Sequence, residues 1–567
     1  FFFAWFTITV LIICITFLSR RQVVTFQIRL CGFFCDTERW KFWWKAEELR
    51  NGVRDELVKM KRRSFLKSAS AAITSAPLLP VGMSVPFLAT QANASPDYTN
   101  VSITQPTVMP QVINVFMYGG ASELAGNLTN IADINNNSQN DYGAAFGAGI
   151  LETQANDPDN GQITANGFWR DAGGTDLEDM LATGDMAIYR TIMKKKSPTR
   201  SHRESIFMSH KGTLDIENSP GIGTRLALML HQNASSFNGA GFADNVSGSN
   251  TWNSADVSGL LMPFVSFEGE TQTYALDPNN NLPLFLRGLT MDSNFNNPYI
   301  RGQQQGAESD INALVESRKA TISSMRSQFS RAWDGLEKRA EMENYLTELN
   351  NVDDLTLPTD PDTGAELQYP ANNRFADQLR SAVTLAIHNP ETMYISVGTP
   401  GLGGWDDHNN AVDDYRNKMA QLWSAMRAAT KHINLSQGAP TIRGGTRQVT
   451  DNIIINVYGD FGRLVNLNNS GGWDHANNQN LYTFGGAGVR PTKEAAALGN
   501  VIGTTHREGN SKTNNQYTMP DSGSPTWEPM SIASSIYTAF GAQNSEIMTA
   551  DPMMNPDGDR PLEDLLP

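Results

Sequence analysis

The chain has 567 residues, with 44 basic against 59 acidic side chains, a formal charge of −15 and three cysteines, all before residue 36. A surface this acidic repels nucleic acid and anionic lipid, which argues against both as partners. Beyond residue 35 there is no thiol, so disulfide scaffolds, thiolate metal sites and a formylglycine made from cysteine are excluded there.

Residues 1–59 open on FFFAWFTITVLIICITFLS, an apolar run near the length of a membrane span, and hold Cys14, Cys31, Cys35 and four of the eleven tryptophans. Met60 then begins MKRRSFLKSASAAITSAPLLPVGMSVPFLATQANA, which has the parts of a twin-arginine export signal. Arg62 and Arg63 are followed by Ser64 to Lys67, a weakly apolar stretch and a small-residue cleavage site at Ala92-Asn93-Ala94. Such a signal belongs at an N-terminus. Residues 1–59 therefore read as upstream sequence translated from a misplaced start, 60–94 as the signal, and the mature chain as beginning at about Ser95. Since 13 of the basic and 6 of the acidic residues lie in 1–94, the mature chain keeps 31 against 53, a formal charge of −22. This reading implies the twin-arginine export machinery as a partner, a periplasmic or extracellular location, and no membrane anchor in the mature chain.

Residues 95–111 are polar and contain proline, and read as an extended leader. VINVFMYGG (112–120) is an apolar run stopped by two glycines, the form of a buried strand ending above a sheet. The Asn-, Asp- and Gly-rich stretch 127–166 reads as a surface excursion. Its DINNNSQND (133–141) alternates oxygen side chains as a calcium loop does, but Ser138 stands where such a loop needs Gly and no Glu closes it. A helix over 175–184, a strand over 185–192 and a helix over 220–232 follow. An Asn/Ser/Gly-rich insertion at 233–256 and a charged amphipathic stretch from Ala313 to Leu349, one long helix or a helical pair, come next. A helix at 374–389 leads into a strand at 391–398. A polar helix at 412–432 precedes a strong strand at 451–462, and 531–541 reads as the last helix. Helices alternating with apolar strands that end in Gly-rich polar loops predict an α/β fold, with a mainly parallel sheet covered on both faces.

Ligands of such folds sit beyond the carboxyl ends of the strands. Two near-copies of one string fall there: GGWDDHNN (403–410) after the strand at 391–398, and GGWDHANN (471–478) after the strand that begins at 451. Their flanks do not match, so this is one local chemistry used twice. Two loops from different strands bring Asp406, His408, Asp474 and His475 to one rim. Without thiolates, an Asp/His set is the metal site this chain can build, for a divalent ion such as Zn, Mn, Mg or Ca. The competing reading makes each string a turn, with Asp bonding backbone amides and His partly buried.

His202, in SPTRSHRES (197–205), stands beside Thr199, Ser201 and Arg200. Together they offer a hydroxyl nucleophile, a base or ligand and an anion-binding cation; the same residues also fit a helix N-cap with a charged first turn. His231, His388 and His432 fall in predicted helices and read as structural or surface residues, His506 in GTTHREG offers one more ligand, and His210 has no assigned place.

Taken in order, VFMYGGAS (115–122), RSH (200–202), FADQLRSAV (375–383), GGWDDH (403–408), YGDFGR (458–463), WDH (473–475) with Gly485-Gly486, and DGDRPLEDLL (557–566) carry a resemblance. From about residue 112 the chain resembles the secreted bacterial proteins grouped as domain of unknown function 1501 (DUF1501), themselves similar to alkaline phosphatases and sulfatases. The resemblance implies a single domain over 112–567 with a three-layer α/β/α, alkaline phosphatase-like arrangement and insertions near 127–166, 233–256 and 300–355. It implies Asp474 and His475 on one divalent metal, Asp406 and His408 on another, and Thr199 or Ser201 as nucleophile, with Arg200 and His202 beside it. Three departures stand out: Ser122 or Glu123 where many relatives have Asp after the first glycine turn, Lys196 at the position of a sulfatase's modified residue, and no histidine near the last helix. The expected function is an exported metal-dependent hydrolase of phosphate or related esters, small or polymeric. The alternative is a catalytically inactive secreted binding or surface-assembly protein on the same scaffold.

Overall fold

A nearly unbroken apolar run is satisfied only by burial on both faces, and QVINVFM meets that condition as β1 (Gln111–Met117), buried at every position. Ile113, Val115 and Met117 enter one hydrophobic core, and Val112 and Phe116 another. With β1, seven strands make the central sheet: β2 (Met186–Met193), β4 (Phe264–Ser266), β5 (Leu289–Thr290), β6 (Tyr394–Gly398), β8 (Ile453–Gly459), β11 (Asn478–Phe484) and β12 (Val501–Ile502). Their order is β12-β2-β11-β8-β1-β6-β4-β5. Outside it lie three antiparallel pairs: β3 (Val246–Ser247) with β7 (Thr446–Arg447), β9 (Arg463–Leu467) with β10 (Trp473–His475), and β13 (Thr505–Glu508) with β14 (Gln516–Pro520).

This computed structural model describes residues 100–128, 163–237, 260–277, 357–442, 445–485, 500–508 and 516–562, with shorter pieces at 246–247, 282–283, 286–295 and Leu346. They belong to one compact unit, Thr90–Pro567. The export signal, the calcium-like string at 133–141 and the amphipathic stretch 313–349 apart from Leu346 lie outside the described residues.

Helices cover both faces. α1 (Gly174–Ala182), α4 (Arg374–His388) and α5 (Val412–Asn434) pack on the core that holds Ile113 and Val115, while α3 (Ile222–Gln232) and α6 (Met530–Ala539) pack on the other. These helices, and β1, β2, β6 and β8, fall where the sequence pattern places them. β1 pairs in parallel with β6 on one side and β8 on the other. Two further elements stand outside that apolar pattern. α2 (His202–Lys211) buries Ser205, Met208, Ser209, His210 and Lys211, a set with no apolar period. β11 runs antiparallel to both β8 and β2. The cause is connectivity: β10 ends at the carboxyl edge of the sheet, and the chain re-enters three residues later with only one direction left to run.

His432 is buried in α5, its Nδ1 3.1 Å from the Tyr369 hydroxyl, and burial pushes its pKa down to about 3. Between about pH 6.5 and the folded value, the unfolded chain binds a proton that the folded chain refuses. Stability from this group is present above pH 6.5 and is lost as pH falls, by up to about 1.4 kcal/mol per pH unit. His432→Gln removes that dependence, so the stability gap between wild type and variant in urea melts narrows from pH 6.5 to 4.5. A gap that does not change with pH would show that His432 is not held neutral.

Candidate metal centre

Because β1 lies between β6 and β8, the turns after these three strands meet at the carboxyl edge. The turn after β1 is Gly119-Gly120, both at positive φ. GGWDDHNN follows β6, and Asp460, Phe461 and the β9–β10 hairpin with GGWDHANN follow β8. The two strings are bonded along their backbones. Trp473 N donates to Asp407 O at 2.8 Å, Asn410 N to Ser470 O at 2.7 Å, and Ala411 N to Gly471 O at 3.0 Å. Trp405 and Trp473, both fully buried, close on Tyr415 of α5, with ring centroids 6.3 and 5.3 Å away. The shared Gly-Gly-Trp is thus an anchor that seats each loop. Its glycines are not equivalent: a Cβ on Gly472 would stand 2.2 Å from His408 C and 2.4 Å from Asp407 O, whereas one on Gly404 meets nothing within 4 Å.

Three histidines arrive at this rim with their Nδ1 atoms engaged. His202, the first residue of α2, has Nδ1 2.7 Å from Asp460 Oδ2. His408 Nδ1 lies 3.2 Å from Asp474 Oδ1, and His475 Nδ1 lies 2.8 Å from the Arg200 carbonyl. An Nδ1–H given to an oxygen leaves the Nε2 lone pair free to ligate. The three Nε2 atoms surround Asp406 Oδ1 at 3.2 Å (His202), 3.0 Å (His408) and 3.4 Å (His475). His202 Nε2 is buried and off the line of a hydrogen bond, so it has no hydrogen-bond partner. His202, Asp406 and His475 offer donor atoms within 4.8 Å of one another, and His408 Nε2 is 2.9 Å from His475 Nε2. Ligands about 2.0–2.2 Å from one tetrahedral ion are separated by roughly 3.3–3.6 Å. The His202, Asp406 and His475 donors come near that spacing and suit a divalent ion, whereas His408 Nε2 is closer than that to His475 Nε2 and Asp406 Oδ1 and lies 3.3 Å from Arg463 Nη1.

The fully buried guanidinium of Arg463 organises the charge. Its Nη2 is 2.6 Å from Asp406 Oδ1, its Nε donates to Gly120 O and its Nη1 to Trp473 O, each at 2.7 Å, and Nη2 also reaches Gly119 O and Trp405 O. Burial works against the Asp406 charge, but the Arg463 bond and charge, with His202 and His408, hold its pKa at about 2. The Asp460 hydrogen bond raises the His202 pKa against the effect of burial. Burial lowers that of His475, and the Arg463 charge adds to it while the Arg200 carbonyl opposes it. Asp460 is itself fully buried, and its Oδ1 accepts from Gly119 N at 3.2 Å.

Asp406, His408, Asp474 and His475 therefore share one rim, but they interleave and do not form two separate pairs. Asp406 sits with His475 and His202, while Asp474 stands behind His408. At SPTRSHRES a helix does begin, α2, and its first side chain, His202, points into the cluster. The Thr199 hydroxyl is 2.5 Å from Glu204 Oε2 and accepts from Ser201 N, whereas Ser201, the exposed N-cap, makes no side-chain capping bond. The Arg200 side chain is exposed at the same lip. Glu123 is buried with its carboxylate on Asn480 N at 2.6 Å, and Ser122 caps the short turn Glu123–Ala125. Lys196 pairs with Asp559 at 2.7 Å, and His506 with Asp521 at 2.9 Å. Asp460 and Arg463 were given no role by sequence reasoning; the polar string YGDFGR at a strand end was their signal.

A family model described as a protein of unknown function, DUF1501, matches residues 109–532. No curated protein matches the chain.

Gly472→Ala drives a methyl into the backbone of His408 and Asp407, with an expected loss of about 1–3 kcal/mol. Gly404→Ala, facing open space, stays within about 0.5 kcal/mol of wild type. Urea melts of the two variants give the comparison, and equal stabilities would refute the close approach of the loops.

Proposed function

The chain belongs to the DUF1501 family, and from that premise we propose that it is an exported, metal-dependent hydrolase of phosphate or related esters on an alkaline phosphatase-like, three-layer α/β/α domain. Helices on both faces of the sheet and a rim site at the strand ends support the fold reading. The single observation that carries the function is the convergence of three histidine Nε2 atoms on Asp406, each imidazole fixed from behind by an oxygen.

His202, Asp406, His408 and His475 would hold the ion, with Asp460, Asp474 and the Arg200 carbonyl orienting the rings. Bound there, a divalent ion supplies positive charge that polarises an ester oxygen and eases ionisation of a nearby hydroxyl. Of the two hydroxyls, Ser201 is the better placed nucleophile: it is exposed and adjacent to His202, while Thr199 is engaged by Glu204. The N-terminus of α2 favours an anion in front of it, and Arg200 adds a charged donor at the lip. Asp406 is half exposed, so the cluster is open to solvent and to substrate.

The second reading, a secreted binding or surface-assembly protein without turnover, has its own observation. Arg463 gives Asp406 a cationic partner at 2.6 Å without any ion, and the turn after β1 contributes no carboxylate to the cluster. His475→Ala separates the two. In the hydrolase, wild type holds a stoichiometric divalent ion and cleaves an aryl phosphate, and the variant loses both while keeping the fold, with a melting temperature close to that of chelator-treated wild type. Wild type that stays ion-free after growth in metal-replete medium, and cleaves no phosphate ester, overturns the hydrolase in favour of the binding protein. Export is checked separately: changing both Arg62 and Arg63 to Lys retains the protein inside the cell, and unchanged export of that variant would refute the signal.

A further inference from the structure

Lys194, directly after β2, is a buried cation to which no role has yet been given. Enclosing an ammonium is costly unless its donors are used. Its Nζ donates to the Thr199 carbonyl at 2.5 Å and to Ser205 Oγ at 2.6 Å, and stands 4.9 Å from the centre of the Phe461 ring. Two of these contacts lead to the histidine cluster. Thr199 precedes Arg200, whose carbonyl meets His475 Nδ1. The Phe461 ring lies 4.4 Å from the His475 ring and 4.7 Å from that of His202, centre to centre. The lysine is itself pinned to the same junction, because Lys194 N donates to Asn477 O, two residues after His475, at 3.0 Å.

We propose that Lys194 is a positioning residue for the cluster: by holding the Thr199–Arg200 backbone and the face of Phe461, it keeps the proton of His475 on Nδ1 and its Nε2 aimed at Asp406. The carbonyl of Arg200 can accept from His475 only while the 197–201 segment stays against β10; Lys194 holds that segment by the Thr199 carbonyl, and Glu204 of α2 by the Thr199 hydroxyl. A purely structural role would instead run through Ser205, fastening α2 to the sheet. The proposal refines the metal-centre reading, and only its ion-affinity arm rests on that reading.

The test uses the full mature chain. The tautomer of His475 is read by long-range ¹H–¹⁵N NMR on the metal-free protein, and Zn²⁺ affinity by competition with a chelating dye. Lys194→Met is expected to move His475 away from the Nδ1–H form and to weaken Zn²⁺ binding by about 10- to 100-fold, the range typical for loss of a residue that orients a ligand. Ser205→Ala, which removes only the tie to α2, is expected to leave both readouts at wild-type values. If Lys194→Met does not fold, the shorter and polar Lys194→Gln is read with the same expectations. A folded variant with unchanged tautomer and affinity overturns the positioning role and leaves the metal centre standing. A wild type that binds no Zn²⁺, but whose tautomer responds to Lys194→Met, does the reverse. Wild-type His475 carrying its proton on Nε2 overturns the proposal outright.

Discussion

The rim of this protein depends on one buried guanidinium. Arginine carries five N–H donors in a rigid fork and stays charged when buried, so it is tolerated inside only where acceptors surround it. Arg463 finds them on three separate loops: Gly119 and Gly120 after β1, Trp405 and Asp406 after β6, and Trp473 in the hairpin after β8. None of these loops could move far from the others without stranding donors of a buried charge. The paired backbone bonds between the two GGWD strings and the two tryptophans on Tyr415 then add packing to a register already set by charge.

This arrangement explains what the amino-acid sequence could and could not reveal. β1, β6 and β8 were legible because a run such as IIINV has no solution but burial on both sides, and the rim followed from glycines placed at their ends. β11 was not, because it begins Asn-Gln-Asn and reads as a loop. Those amides are buried in the strand with one polar atom of each bonded: Asn478 Nδ2 donates to the Arg190 carbonyl, Gln479 Oε1 accepts from Gly459 N, and Asn480 Nδ2 donates to the Tyr482 hydroxyl, while Asn478 Oδ1, Gln479 Nε2 and Asn480 Oδ1 have no hydrogen-bond partner among the described residues. α2 was legible only at its start, where 197–205 also fits a helix N-cap, since its inward side chains are mostly polar.

Which aspartate serves which histidine was also beyond reach. Adjacency in sequence suggests that Asp474 and His475 act together, but neighbours in an extended segment diverge. They meet opposite nitrogens of the same ring, Asp474 at His408 Nδ1 and His475 at His408 Nε2. Asp406 and His408, two apart, do face each other. The orienting groups Asp460 and the Arg200 carbonyl come from positions 258 residues and 275 residues away from the imidazoles they hold, a separation at which no spacing rule operates.

The charges at the rim bear on what it could hold. Three carboxylates, Asp406, Asp460 and Asp474, contact the imidazoles, and Arg463 offsets one of them, which leaves two negative charges for neutral histidines to share. Without an ion, protons can supply part of the balance, and the upward shift of the His202 pKa beside Asp460 is the sign of that pressure. A divalent cation would supply all of it. Around the cluster Lys194 and Arg200 are matched by Glu204 and Glu528; Arg200, Glu204 and Glu528 all act on Lys194 together with Asp460, so the outer groups balance one another. The charge balance of the rim thus rests on the same residues that close the loops.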